Sequence, residues 1–308
     1  MNTADLPAPP ANTAYLAPPD FVAELRAELG DVTAEYARLL VAPGAARPAA
    51  WAANVWHAPE RLTFGSIGEA AKLLRARQPL WALYPYRCHR RAELIRGKLP
   101  PLRARPHVFP RPAPTAPLGP WTLLDEHTLL AAARCSSPFA TGEVAFDEDQ
   151  LNPPNRAYLK LWEFFTLAGR HPAPGERCVD LGACPGGWTW VLLELGARVV
   201  AVDKAPLDPR LATRPGVEWR QQSAFALDPR ELGPIDWLCA DIACYPPRLL
   251  ALIERFRAAG TVRHFVCTVK FQGATDHATA RAFAAIPGSR LQHLHHNRHE
   301  LTWSLLES

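Results

Sequence analysis

Short apolar runs recur at regular intervals through the second half of the chain. Residues 177–181, 198–202, 235–241 and 264–270 are brief and largely apolar, and each ends at a glycine, aspartate or lysine. Runs of this length and closure predict strands buried on both faces of a parallel sheet. Residues 217–219 read as a further short strand. Between these runs, residues 188–195, 249–258 and 275–285 predict helices, and residues 290–295 and 300–306 predict two closing strands joined by a polar turn. Alternating strands and helices that end in a strand pair describe a Rossmann-like α/β sheet, parallel with one antiparallel member.

The first half has another rhythm. Of 32 prolines, 21 precede Asn155. Residues 1–19 are rich in Ala and Pro and predict a flexible tail. Residues 20–29 predict an amphipathic helix with Asp20 as N-cap and Gly30 as its stop. Strands are expected near 34–41 and 51–56, and a helix over 66–75, where Ser66 and Glu69 have capping-box spacing. Further strands are expected at 80–84 and 107–109, a break over the prolines of 110–120, and a strand or hairpin over 121–134. This half therefore predicts a smaller α+β region.

Composition narrows the class. At 308 residues and 48% hydrophobic content the chain has ample material for a core and is globular rather than disordered. No run of 18 apolar residues stands out and the first residues lack a signal pattern, so a cytoplasmic protein without a membrane span is the expectation. Seven cysteines, an odd number with no C-x-x-C pair, argue against both a disulfide framework and a zinc site. The net charge of +4 says little, but its distribution says more. From Tyr86 to Arg111 there are eight basic residues (Arg87, Arg90, Arg91, Arg96, Lys98, Arg103, Arg105 and Arg111) against one acid, Glu93. Tyr84, Tyr86, His89, His107 and Phe109 are interleaved with them or flank them, the mixture a phosphate-tracking, base-stacking groove needs. Read alone, the stretch fits a solvated helix face followed by a proline-rich loop equally well.

The chemistry gathers around Asp180-Leu-Gly-Ala-Cys-Pro-Gly-Gly-Trp188. A buried strand runs into a tight glycine loop and then a helix, so the backbone can approach a ligand that a Cβ would keep away. The glycine spacing is not G-x-G-x-x-G, which argues against a nicotinamide dehydrogenase. Asp203 closes the next strand, where a nucleoside-binding fold places a carboxylate for ribose hydroxyls. Lys270 and Asp241 each end a strand on the same side of the sheet, where such folds bind their ligands. Lys160 lies among Leu159, Leu161, Trp162 and Phe164 on a predicted helix, and Glu300 opens the last strand, a place glutamate does not favour. His293, His295, His296 and His299 lack the ligand spacing of a metal site and read as a polar turn near a cleft.

The motif Asp180 to Trp188 resembles the S-adenosylmethionine loop of the FtsJ-like RNA ribose 2′-O-methyltransferases, and Ser137-Pro-Phe139 and Leu159-Lys-Leu161 are similar to other stretches of that family. The resemblance implies a class I methyltransferase domain over 137–308, preceded by an accessory α+β region over 20–136 that is suited to RNA docking through Arg87, Arg90, Arg91, Arg96, Lys98, Arg103 and Arg105. It implies S-adenosylmethionine as methyl donor, an RNA partner, no membrane and no metal, with a cytidine of 23S rRNA as the expected target. The family's Lys-Asp-Lys-Glu tetrad would fall on Lys160, Asp241, Lys270 and Glu300. Lys270 would then act as base or orient the hydroxyl while protonated, Asp241 and Glu300 would hold the lysines, and Lys160 would position the ribose. The donor would be held by Asp180, Gly182, Ala183, Pro185, Gly186, Gly187, Trp188, Asp203 and Asp241, with Ser223 where the family often has an acid near the adenine. The same chemistry on tRNA, and a non-catalytic RNA-binding protein that keeps the fold, are the competing readings.

Overall fold

The structure, a computed structural model, describes residues 12–102 and 105–307. The described residues fall into two compact units, one made of the chain up to His107 and from Ala113 to Ala145, the other of Val108–Pro112 and the chain from Phe146 on.

The first unit carries two sheets. Strands β1 (Thr13–Leu16), β2 (Ala34–Tyr36), β3 (Leu39–Ala42), β4 (Asn54–His57) and, last in the chain, the short strand Arg134–Cys135 pair antiparallel in the order β2-β3-β1-β4 and then Arg134–Cys135. Strands β5 (Glu60–Thr63), β6 (Trp81–Leu83), β7 (Gly119–Leu123) and β8 (Thr128–Ala131) form the second sheet, in the order β5-β8-β7-β6. Helices α1 (Val22–Leu29), α2 (Ile67–Arg75) and α3 (His89–Arg96) complete the unit. Ala70, Ala71 and Leu74 of α2 and Ala92 and Ile95 of α3 bury against Trp81, Trp121 and Leu129 in one apolar cluster.

Several sequence-based expectations fail in this unit. The expected tail over 1–19 contains β1, a fully buried central strand paired on both sides with β3 and β4; Thr-Ala-Tyr-Leu is a short apolar run among prolines. Asp20 is not the cap of α1. Phe21 N donates to Pro18 O at 3.3 Å, and Asp20 sits at φ 67°, so Pro19-Asp20 forms the centre of a turn in which an aspartate tolerates left-handed backbone. The run 34–41 is a hairpin, and 107–109 forms no strand: His107 N donates to Ala145 O at 2.7 Å, while Phe109 belongs to the second unit and stacks on Trp162 at 5.0 Å. The expected cap of α2 holds, with Ser66 Oγ accepting from Glu69 N, though Glu69 Oε2 accepts from Gly65 N instead of closing on Ser66. Apart from Val108–Pro112 the second unit runs from Phe146 on, and Ser136 and Ser137, next to the expected boundary at 137, are hydrogen-bonded to Val55 and Asn54 of the first unit.

In chain order the second unit contains α4 (Tyr158–Ala168), the strand Arg177–Leu181, α5 (Gly187–Glu194), the strand Arg198–Asp203, α6 (Pro209–Ala212), the strand Val217–Gln221, the strand Ile235–Ala240, α7 (Pro246–Ala259), the strand Val262–Lys270, α8 (His277–Ala284) and the strands Ser289–Gln292 and Glu300–Leu306. Numbering all strands along the chain makes Arg134–Cys135 β9 and these seven β10 to β16. The sheet order is β12-β11-β10-β13-β14-β16-β15, and β16 alone runs antiparallel. This is the predicted Rossmann-like sheet, parallel with one antiparallel member. Strand order reverses between β10 and β13, and a crevice opens beyond their carboxyl ends, where sheets of this kind bind ligands. The expected strand 290–295 stops at Gln292, because the residues after it form a turn pinned from α4.

Candidate active site

A cavity of about 490 Å³ lies beyond β10, β11 and β13, within the range of small-molecule sites. Gly182, at φ +79°, forms its floor; a Cβ there would come within 3.0 Å of Ile242 Cα. A Cβ on Gly187 would meet Asn155 Oδ1 at 2.1 Å, so the start of α5 also lies directly against its neighbour. Asp180 is 1% exposed and accepts from Thr189 Oγ1 at 2.6 Å, but its Oδ1 has no hydrogen-bond partner. Burial pushes its pKa up to about 7. Asp203 Oδ2 accepts from Cys184 N at 3.1 Å and Oδ1 from Ala205 N at 3.0 Å, which fixes the carboxylate at the end of β11. Trp188 anchors the loop by donating Nε1–H to Ala157 O at 2.9 Å.

Of the residues expected around the donor, Asp180, Gly182, Ala183, Gly187, Trp188, Asp203, Ser223 and Asp241 line this cavity. Pro185 and Gly186 do not. A Cβ on Gly186 would strike Leu211, and Pro185 O accepts from Asp208 N at 2.9 Å, so both brace the loop against α6 and the residues before it. Ser223 reaches the wall, but its hydroxyl oxygen accepts from Phe225 N at 3.3 Å as a cap for the turn that follows. Sequence reading missed Phe225 and Arg248, which also line the cavity, with the guanidinium carbon 3.8 Å from the ring centroid. Residues 225 and 248 lie in different elements, and neither carried a local signal.

Four ionisable side chains meet at one side of this cavity. Lys160 Nζ, from α4, lies 2.7 Å from Glu300 Oε1 and 3.2 Å from Asp241 Oδ2. Lys270 Nζ lies 2.8 Å from Asp241 Oδ1 and donates to Asp241 O at 2.9 Å. Lys270 and Glu300 are direct partners across β14 and β16, and Asp241 N is tied to Leu181 O at 3.2 Å. The sheet register therefore builds three of the four positions, and one helix supplies the last. Burial depresses the Lys160 ammonium, but the carboxylates of Asp241 and Glu300 outweigh that and hold its pKa above the ordinary lysine value. Asp241 and Lys270 belong to both the tetrad and the cavity wall.

The histidine-rich turn lies beside the tetrad. Glu163 on α4, 2% exposed, accepts from His295 N at 2.6 Å, His296 N at 2.9 Å and His296 Nδ1 at 2.7 Å. His299 Nε2 is 2.7 Å from Thr275 Oγ1, and His293 Nε2 is 3.1 Å from Arg298 O. Among the described residues no group of His, Cys, Asp and Glu is arranged to hold a metal ion, and no helix is long and apolar enough to cross a membrane.

The basic residues lie in the first unit. Arg90, Arg91 and Arg96 are on α3; Arg91 stands over Phe64, Arg87 over Tyr86, and Arg96 pairs with Glu93. Arg87, Arg90, Lys98 and Arg105 are exposed, and Arg103 lies outside the described residues.

Residues 153–277, which carry most of the glycine-loop cavity and three of the four tetrad residues, match the family described as FtsJ-like methyltransferase. The matched segment holds Lys160, Asp180, Asp203, Asp241 and Lys270; Glu300 lies beyond it. The chain is similar to the "Ribosomal RNA large subunit methyltransferase M" of Halorhodospira halophila, 36% identical over 172 residues that cover 49% of this chain and 46% of the relative. It is also similar to the protein of the same name from Laribacter hongkongensis, 36% identical over 166 residues, 48% of this chain and 46% of the relative. The chain thus matches less than half the length of these curated relatives. Among solved structures, TrmN from Thermus thermophilus aligns over 96% of this chain and 99% of its own at 15% identity, with a TM-score of 0.38.

Proposed function

We propose that the chain is an S-adenosylmethionine-dependent methyltransferase acting on a ribose 2′-hydroxyl of RNA, with a cytidine of 23S rRNA as its target in the cytoplasm. The observation that carries this reading is the sharing of Asp241 and Lys270 between the tetrad and the cavity wall. A donor held in the cavity and a hydroxyl held by the lysines would then meet at one point.

The fit of the cavity to the donor rests on its own features. Asp180 offers an unpartnered buried carboxylate oxygen to an ammonium group, Asp203 has lone pairs left for ribose hydroxyls, and the glycine loop leaves room beside it. Phe225 and Arg248 give a flat plate for a purine. S-adenosylmethionine supplies an electrophilic methyl on a sulfonium, so this chain has to align the hydroxyl and remove one proton.

Lys160, held charged by two carboxylates, donates to the ribose and fixes its pose. Lys270 receives the 2′ proton. In its neutral form the amine has two N–H donors, and Asp241 Oδ1 and O accept both, which leaves the lone pair for the hydroxyl. The proton taken from the hydroxyl then leaves Lys270 Nζ to solvent. The exposed basic residues of the first unit would hold RNA through its phosphates. Transfer of labelled methyl to total RNA from cells lacking the protein tests the reading. Alkali-resistant label in 23S rRNA supports it, label in small RNA moves the target to tRNA, and failure to bind S-adenosylmethionine overturns it.

A further inference from the structure

We infer that Glu163 and His296 form a positioning device for the tetrad, setting Glu300 against Lys160; the inference rests on the methyltransferase reading above. Glu163 follows Lys160 by three residues on α4, so the two side chains leave the same face of the helix one turn apart. Lys160 reaches the tetrad. Glu163 reaches the turn that delivers Glu300 to it. Its two oxygens accept three N–H groups, from His295 N, His296 N and His296 Nδ1, at 2.6–2.9 Å. A carboxylate that receives both backbone donors and a ring donor fixes the path of the turn as well as its position.

From there the connection to Glu300 is short and continuous. Asn297 side chain and Thr302 Oγ1 are hydrogen-bonded across the turn, Glu300 N donates to Arg298 O at 2.8 Å, and Arg298 N approaches Glu300 Oε1 at 3.4 Å. On its other side the turn is tied to the residue after Lys270, with Phe271 N donating to His299 O at 3.1 Å. The His296 ring packs against Phe146 at 5.5 Å between centroids, which leaves it little freedom to release Glu163. One helical turn of α4 thus fixes the Lys160–Glu300 pair from both ends. Neither Glu163 nor His296 lines the cavity, so their effect on chemistry passes through Glu300 and Lys160.

Glu163→Gln retains the volume but places an amide donor against backbone donors, so at least one N–H of the turn loses its acceptor. Outer-shell partners that orient metal ligands typically cost about 10–100-fold when removed, and a partner that orients Glu300 against Lys160 is expected in the same range. Glu163→Gln should lower kcat for methyl transfer about tenfold or more, with affinity for S-adenosylmethionine and for RNA held within about twofold. His296→Asn, whose side-chain amide can put an N–H where Nδ1 stands, should keep kcat within about threefold, while His296→Leu falls with Glu163→Gln. The His296 pair decides the matter if Glu163→Gln does not fold. Unchanged kcat in Glu163→Gln and His296→Leu, or equal losses in His296→Asn and His296→Leu, would overturn the inference while the functional reading stands. A wild-type protein that binds no S-adenosylmethionine and methylates no RNA would remove both.

Discussion

Asp180 concentrates much of the site's physics in one side chain. Its carboxyl is buried, so its pKa rises to about 7, and one oxygen has no partner. An acid raised in the folded state favours folding below its ordinary pKa, and that contribution is lost as pH rises from about 4 toward 7. The shift corresponds to a loss on the order of 4 kcal/mol. Asp180→Asn should therefore raise the melting temperature of the ligand-free protein at pH 8 and leave it nearly unchanged at pH 4.5. His293 acts in the opposite sense. Burial lowers it to about 4, so it favours folding above pH 6.5, and that contribution is lost as pH falls toward 4. A ligand ammonium beside Asp180 would favour the carboxylate. Calorimetry in buffers of different ionisation enthalpy should show proton release on donor binding at pH 6.5, and Asp180→Asn should remove it; equal proton release in the variant would place the coupling elsewhere.

At the scale of elements, the legible parts were those in which one run of residues meets one environment. The central strands of the large sheet are buried, so β10 and β11 appear in the sequence as short, largely apolar runs. The carboxyl-end positions of Asp203 and Lys270 follow from that reading, and the tetrad followed from family resemblance. What stayed hidden depends on partners far along the chain. β1 is four residues between proline-rich stretches and exists because β3 and β4 flank it. The hold of Glu163 on the histidine turn spans 132 residues to His295. Arg248 and Phe225 become neighbours only when α7 packs beside the sheet. The glycine loop gives a direct test of an element. Gly182→Ala puts a side chain at left-handed φ, about 1–2 kcal/mol for an L-residue, and against the Ile242 backbone. Donor affinity should fall by at least about tenfold by calorimetry, with a lower melting temperature, whereas Gly175→Ala, which meets nothing within 4 Å, should leave donor affinity intact.

For the molecule as a whole, the two units divide the labour under the proposed function. The second contains the cavity and the tetrad, and the first carries the exposed basic residues around α3. Arg87→Ala with Arg90→Ala should weaken RNA binding and flatten its dependence on salt by about 0.7–0.9 in log–log slope for each phosphate no longer neutralised. Affinity for S-adenosylmethionine should not change. A filter-binding series from about 50 to 400 mM salt reads both the affinity and the slope, and an unaltered slope would move the RNA-binding face away from α3.

Under the proposed function, Asp241 and Lys270 join donor cavity and tetrad into one site for methyl transfer. This joint role is tested most directly by single-turnover transfer of labelled methyl to 23S rRNA by the wild type and Lys270→Ala, with donor affinity measured on the same preparations. The wild type should methylate ribose 2′-hydroxyls, and Lys270→Ala should lose at least about a thousandfold in rate while keeping donor affinity within about threefold. A Lys270→Ala protein that methylates at the wild-type rate, or a wild type that binds donor without modifying any RNA ribose, would contradict it.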